Sequence, residues 1–201
     1  MSDQLQFDFG VTALGLRPRV HGAKRSRVER DMLMFRLHPG WCQAMGAIVD
    51  ATRRVHGLTG QPIEPGGLHV SLTGFGDCRE IEEVIVRAVV AAAANVRMPP
   101  FDLVFDRIVS FRNGGPLVLL CGAGVNLVID LERRINGVLN DAGLRLRRRA
   151  SFVPHCTVLY DKRLVPEMPL DRPITVRVAE FHLLRSKFGD RQSVGRWPLL
   201  G

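Results

Sequence analysis

Two stretches of this chain follow one plan. A strand-like segment at Met32–Leu37 leads into a helical period (Trp41, Met45, Ile48, Val49, Thr52, Val55), a turn-rich loop at Gly57–Gly66 and a second strand at Gly67–Thr73. Later, a strand at Pro116–Cys121 leads into another helical period (Leu127, Leu131, Ile135, Val138, Leu139), a turn at Gly143 and a strand at Ser151–Tyr160. Leu37 to His69 and Cys121 to His155 span nearly equal lengths of chain. Similar elements at similar spacing predict two related lobes. The rest fits around them. Ile81, Val84, Ile85, Ala88, Val89 and Ala92 mark a further helix, Phe101–Phe111 is extended, and Asn113-Gly114-Gly115 reads as a hairpin turn. Ile174–Arg185 and Ser193–Leu199 read as closing strands joined near Gly189.

Each unit ends in the same short motif. His69-Val70-Ser71-Leu72 and His155-Cys156-Thr157-Val158 both read histidine, apolar, hydroxyl, apolar. The other histidines (His21, His38, His56, His182) have no hydroxyl residue two positions on. Chance would supply fewer than one such pair in this composition. On a strand, residues i and i+2 share a face. His69 projects with Ser71, and His155 with Thr157, while Val70, Leu72, Cys156 and Val158 turn to the core. Either motif alone also reads as an ordinary half-buried strand histidine; matched positions favour chemistry. If the lobes face each other, two imidazoles and two hydroxyls meet in one cleft, which suits a phosphodiester. One imidazole takes a proton from the attacking oxygen and the other protonates the leaving oxygen. Imidazole titrates near neutral pH, so the scheme calls for no metal and no cofactor.

This pair of motifs resembles the two-histidine (2H) phosphoesterase superfamily, and most of all its bacterial 2′-5′ RNA ligase / RNA 2′,3′-cyclic phosphodiesterase branch. The likeness covers Asp31 to Leu199, with supporting pieces at Leu33–Pro39, Gly76, Phe152, Pro154 and Leu184-Arg185-Ser186. It implies a bilobal, pseudo-symmetric α+β fold, with two mainly antiparallel sheets facing a central cleft and helices outside. It implies that His69 and His155 are catalytic and that Ser71 and Thr157 bind phosphate. It also implies hydrolysis of RNA 2′,3′-cyclic phosphate ends to a 2′-phosphate, with 2′-5′ ligation as the reversal. His155 is assigned as the base and His69 as the acid; the swapped assignment is chemically equivalent. The chain departs from the family at several points. Ser71 stands where Thr is commoner, Cys156 where a bulkier apolar residue is usual, and Tyr160 where many relatives carry Arg, with Lys162 and Arg163 beyond it. Arg36 lies where relatives are often small. Arg36 and Tyr160 are candidate substrate-binding residues, although strand parity turns Tyr160 away from His155 unless the strand bends. Phe75 and Phe152 flank the motifs and are candidates to stack a base or to pack the core.

Charge and composition agree with an anionic partner. The 201 residues carry 28 Lys+Arg against 20 Asp+Glu, a formal net charge of +8. The lysines are Lys24, Lys162 and Lys187, so the cations are nearly all arginine, which suits phosphate and is equally what a coding bias toward arginine would give. Arg145, Arg147, Arg148 and Arg149 crowd the approach to His155, either tracking a nucleic-acid backbone or forming a solvated loop. Met1–Arg30 is basic and has no helical period; it reads as a flexible arm, or as a basic arm that drapes over RNA, ahead of one bilobal domain at residues 31–201. Ile85–Val96 is too short to cross a membrane and contains Arg87. Cys42, Cys78, Cys121 and Cys156 form no C-x-x-C pair and are expected to be free thiols. A cytoplasmic monomer is expected. Gly122-Ala123-Gly124 imitates a dinucleotide fingerprint, but Leu127 stands where its third glycine belongs. The expected partner is RNA with a 2′,3′-cyclic phosphate end, or a related small nucleotide. Competing readings are an RNA-binding protein without turnover and a phosphodiesterase for a small cyclic nucleotide.

Overall fold

The structure, a computed structural model, describes residues 31–38, 40, 43–78, 80–111, 115–144, 152–187 and 190–201. The Met1–Arg30 arm, the Arg145–Arg149 cluster, Asn113, Gly114 and Gly189 lie outside these residues. The elements run β1 (Asp31–Leu37), α1 (Gln43–His56), β2 (Val70–Cys78), α2 (Glu83–Ala93), β3 (Phe101–Ser110), β4 (Pro116–Cys121), α3 (Val125–Asp141), β5 (His155–Tyr160), β6 (Met168–Val178), β7 (Glu180–Lys187) and β8 (Asp190–Pro198). The fold is α+β.

All eight strands belong to one antiparallel sheet, in the order β6-β3-β4-β5-β2-β1-β7-β8. The family resemblance implies two facing sheets, and the structure corrects this to one. The structure has two four-strand halves, β6-β3-β4-β5 and β2-β1-β7-β8, fused where β2 meets β5 through the single residue pair Val70 and Cys156. In strand order each half mirrors the other, with β1 answering to β4 and β2 to β5. Local patterning cannot reveal this fusion, because both strands have the same period whether or not they pair.

The segment Ile174–Arg185, read from sequence as one strand, is two. β6 ends at Val178 and pairs with β3, whereas β7 starts at Glu180 and pairs with β1. Only Ala179 links them, although they lie near opposite edges of the sheet. Consecutive Cα atoms are about 3.8 Å apart, so the sheet must curl until these ends meet. The two halves thus turn toward each other while remaining one sheet.

Burial follows the period of each element. Along β1, Leu33, Phe35 and Leu37 are buried, while Met32, Met34 and Arg36 on the other face are half-buried. Helix α1 buries Met45, Val49 and Thr52. Val55, assigned to that stripe from sequence, is exposed. Ten residues on from Met45, the helical repeat carries it about 80° off the stripe. Helix α3 buries Val128, Leu131, Ile135 and Leu139. Gly124 at its start has φ of 84°, and a Cβ there would collide with the Asp102 carbonyl. The glycine-rich turn therefore serves backbone geometry. No helix among the described residues is long and apolar enough to cross a membrane.

Candidate active site

The junction of the two halves organises the site. Val70 and Cys156 are both 0% exposed and turn into the core. Their neighbours alternate to the opposite face. Extended one residue to either side of the Val70 and Cys156 pair, the antiparallel register sets His69 opposite Thr157 and Ser71 opposite His155. All four are half-buried. The two histidines occupy one diagonal of this patch, where backbones in an antiparallel pair lie about 7–8 Å apart. The four residues singled out in sequence are thereby brought together on one surface.

Both rings are held in the same way. His69 Nδ1 lies 2.7 Å from the Gly67 carbonyl oxygen. His155 Nδ1 lies 2.7 Å from the Val153 carbonyl oxygen. A carbonyl oxygen only accepts, so Nδ1 must donate in each case. That fixes the tautomer and makes Nε2 the proton-accepting nitrogen of each neutral ring. The sequence supplies the geometry. Gly67 ends a short 3-10 turn at Pro65–Gly67 that returns its carbonyl toward His69. Pro154 restricts Val153 to extended backbone just before His155. The Phe111 ring meets the His155 ring edge-on at 4.9 Å.

The electrostatics of His69 are not neutral. Burial is the largest influence and pushes its pKa below the ordinary value; the charges of Arg36, Arg191 and His38 push the same way, against the Gly67 hydrogen bond. Arg36 is itself lowered, first by burial and then by Arg191.

The four further candidates separate clearly. Arg36 pairs with Ser71 across β1 and β2 and lies on the cleft face. Tyr160 is exposed and lies on that face too. Its register partner is Pro116, while Leu120 pairs with His155 and Val118 with Thr157. These β4 residues alternate without interruption. The irregularity falls on β5, where Val158 is an extra residue, and this bulge reverses the parity that would have turned Tyr160 away. Phe75 is 1% exposed and pairs with Leu33 on the core face, so it cannot stack a base; this corrects its place among the candidates. Phe152 is partly buried and packs against the core, the second of the two roles open to it from sequence.

Other residues also stand near the site. His38 continues the Arg36 alternation just past β1, a signal that strand parity carries. His182 on β7 stands opposite Arg36, and its Nε2 donates to Glu180 at 2.9 Å. Arg191 and Phe111 have no local signature, because only the tertiary fold brings them to the patch. Below Tyr160, the Asp161 carboxylate accepts the backbone N–H groups of Thr59, Gly60 and Arg163. These bonds hold its pKa down at about 2 and tie the loop after α1 to the end of β5. Among the described residues, no group of three or more His, Cys, Asp or Glu could hold a metal ion.

Comparison with known proteins bears on the fold and the family. No curated protein matches the chain. Among solved structures it is similar to E. coli LigT complexed with 3′-AMP, with a TM-score of 0.68 and 22% identity over 86% of this chain and 100% of that one. It is also similar to TT0787 of Thermus thermophilus, with a TM-score of 0.65 and 20% identity over 85% of this chain and 98% of that one. At these identities the likeness concerns the fold. Residues 43–190 match the family described as the 2′-5′ RNA ligase superfamily. That match runs from the first residue of α1 to the first residue of β8, well over half of the chain, and so the chain belongs to the 2′-5′ RNA ligase superfamily of two-histidine phosphoesterases.

Proposed function

We propose that this protein is a phosphodiesterase that opens RNA 2′,3′-cyclic phosphate ends to a 2′-phosphate. One observation carries the reading: two imidazoles, each with Nδ1 bound to a backbone carbonyl, share a surface with two hydroxyls. In hydrolysis, water attacks phosphorus in line with the 3′-oxygen. His69 Nε2 takes the water proton as the new P–O bond forms. The P–O3′ bond breaks, and O3′ takes its proton from His155 Nε2. The Ser71 and Thr157 hydroxyls donate to the non-bridging oxygens as charge grows there. This gives His69 the role of base, the swap of the sequence assignment. Its lowered pKa keeps it neutral and able to accept a proton at neutral pH. No metal or cofactor enters the scheme. With an RNA 5′-hydroxyl in place of water, the same steps form a 2′-5′ linkage. The nucleotide complexes of E. coli LigT, with 3′-AMP, ATP and NADP+, support the same class of ligand.

The test is turnover of 2′,3′-cyclic AMP and of a short RNA with a cyclic end. We expect a 2′-phosphate product, with His69→Ala and His155→Ala each slower by about 10²–10⁴-fold. An inert wild-type protein that still binds RNA would make it a binding protein instead. Full activity in both variants would move the chemistry elsewhere.

A further inference from the structure

Arg36 stands next to the four-residue patch and has no acceptor among the described residues. Its register partners are Ser71 on β2 and His182 on β7. Its Nε is buried and meets no hydrogen-bond partner. A buried donor left unpaired is costly unless a ligand supplies the acceptor. Other arginines of the sheet are already engaged. Arg196 donates to Glu180 at 2.5 Å. Arg107 donates to Asp106 at 3.1 Å and to Glu167 at 2.8 Å. Arg185 turns to the core and holds Asp31. Arg191, near the start of β8, is exposed, and its charge is felt by both Arg36 and His69. Two guanidinium groups with no carboxylate partner among the described residues therefore share the face of the patch: Arg36 on β1, and Arg191 in register through Ser186 with Met32, on the same face of β1 as Arg36.

We propose that Arg36 and Arg191 form a second anion subsite, which holds a phosphate one nucleotide step from the reacting one. This rests on the phosphodiesterase reading, which places the reacting phosphate against Ser71 and Thr157. Cross-strand neighbours have Cβ atoms about 4.5–5.5 Å apart, and the long arginine side chain carries its guanidinium further from Ser71. Arg36 lies one strand beyond Ser71, and Arg191 two strands beyond Arg36 in the order β2-β1-β7-β8, so the pair is offset from the Ser71 and Thr157 patch toward β8. Guanidinium recognises phosphate through paired, charge-assisted hydrogen bonds. The shared chemistry is a phosphate on the 5′ side of the reacting nucleoside. It is either the 5′-phosphate of a free nucleotide or the internucleotide phosphate of an RNA chain.

Calorimetric binding of three ligands tests this: 2′-AMP, adenosine 2′,5′-bisphosphate, and the dinucleotide ApA with a terminal 2′-phosphate. A two-phosphate ligand should bind wild-type protein about tenfold more tightly than 2′-AMP. A gain for the bisphosphate alone identifies a free nucleotide, and a gain for the dinucleotide alone identifies an RNA chain. In Arg36→Met and in Arg191→Met the ratio should fall toward one, and Arg36→Lys should keep part of it. Arg191 is exposed, so its variant stays informative if Arg36→Met misfolds. Equal binding of all three ligands, no binding of any, or an unchanged ratio in Arg191→Met overturns the subsite. Turnover of 2′,3′-cyclic AMP is measured in parallel. Turnover with equal binding defeats the subsite alone. An inert protein with the two-phosphate preference intact defeats the phosphodiesterase reading and leaves the subsite supported.

Discussion

His69 and His155 are pinned by equivalent hydrogen bonds but differ in what surrounds them. His69 is half-buried beside Arg36, Arg191 and His38, and burial first, then these charges, hold its pKa below 6.5. A proton-accepting His69 must be neutral, so activity is lost as pH falls through its lowered pKa. The acid limb of kcat/KM for 2′,3′-cyclic AMP, which reports the free enzyme, should therefore lie below pH 6.5. Arg36→Met removes one of the neighbouring charges, so His69 becomes easier to protonate and the limb should move up. An unmoved limb would show that Arg36 does not act on the titrating group. Much at this scale was legible in the sequence. His69, Ser71, His155 and Thr157 follow from two motifs and the strand period. Arg191 was not legible, since nothing local marks one arginine among so many. Sequence left Phe75 open between stacking a base and packing the core for a related reason: adjacency to a motif does not say which face a side chain takes.

Elements carry information that their patterns do not announce. Arg185 appears in sequence as part of a short piece near the C-terminus, and in the structure it is nearly buried. Its Nε and Nη2 donate to the two oxygens of Asp31 at 2.9 Å and 2.6 Å, and its Nη2 also donates to the Ile81 carbonyl at 2.6 Å. Nη1 donates to Glu83 in the first turn of α2. Asp31 returns a bond by accepting the Ile81 N–H at 2.8 Å. One guanidinium thus joins β7, β1 and the entry to α2. Asp31 is 0% exposed, so removing its partner strands a buried charge. Arg185→Met should cost about 3–5 kcal/mol, whereas replacing both with apolar residues, Asp31→Leu with Arg185→Met, should cost much less. Denaturant titration of the two proteins measures both. A single variant no worse than the double would show that the pair is not electrostatically closed. The bulge at Val158 escaped sequence reading in the same way. A bulge adds one residue with no change in apolar character, and here it decides the face on which Tyr160 stands.

At the scale of the molecule, the two-lobe plan was visible in the spacing of the motifs. The single sheet was not, because strand pairing is a property of the assembled chain. The fusion of the halves makes a mechanical claim. One contiguous core includes Phe35, Val70 and Leu72 from one half and Leu119, Leu131 and Cys156 from the other. If that core is continuous, the halves cannot separate without global unfolding. The thiols allow a direct check. Cys156 sits at the junction and Cys121 lies within one half, and burial pushes both pKa values up to about 12. At mild alkaline pH neither presents an appreciable thiolate in the native state. With Cys42 and Cys78 replaced by serine, a thiol reagent should leave the native protein unmodified. As denaturant is raised, Cys121 and Cys156 should react at one rate with one denaturant dependence, because the same opening exposes both. Faster reaction at Cys156 with a shallower dependence would mean that the junction parts before either half unfolds. The site would then be assembled between two independent bodies instead of being built into one sheet.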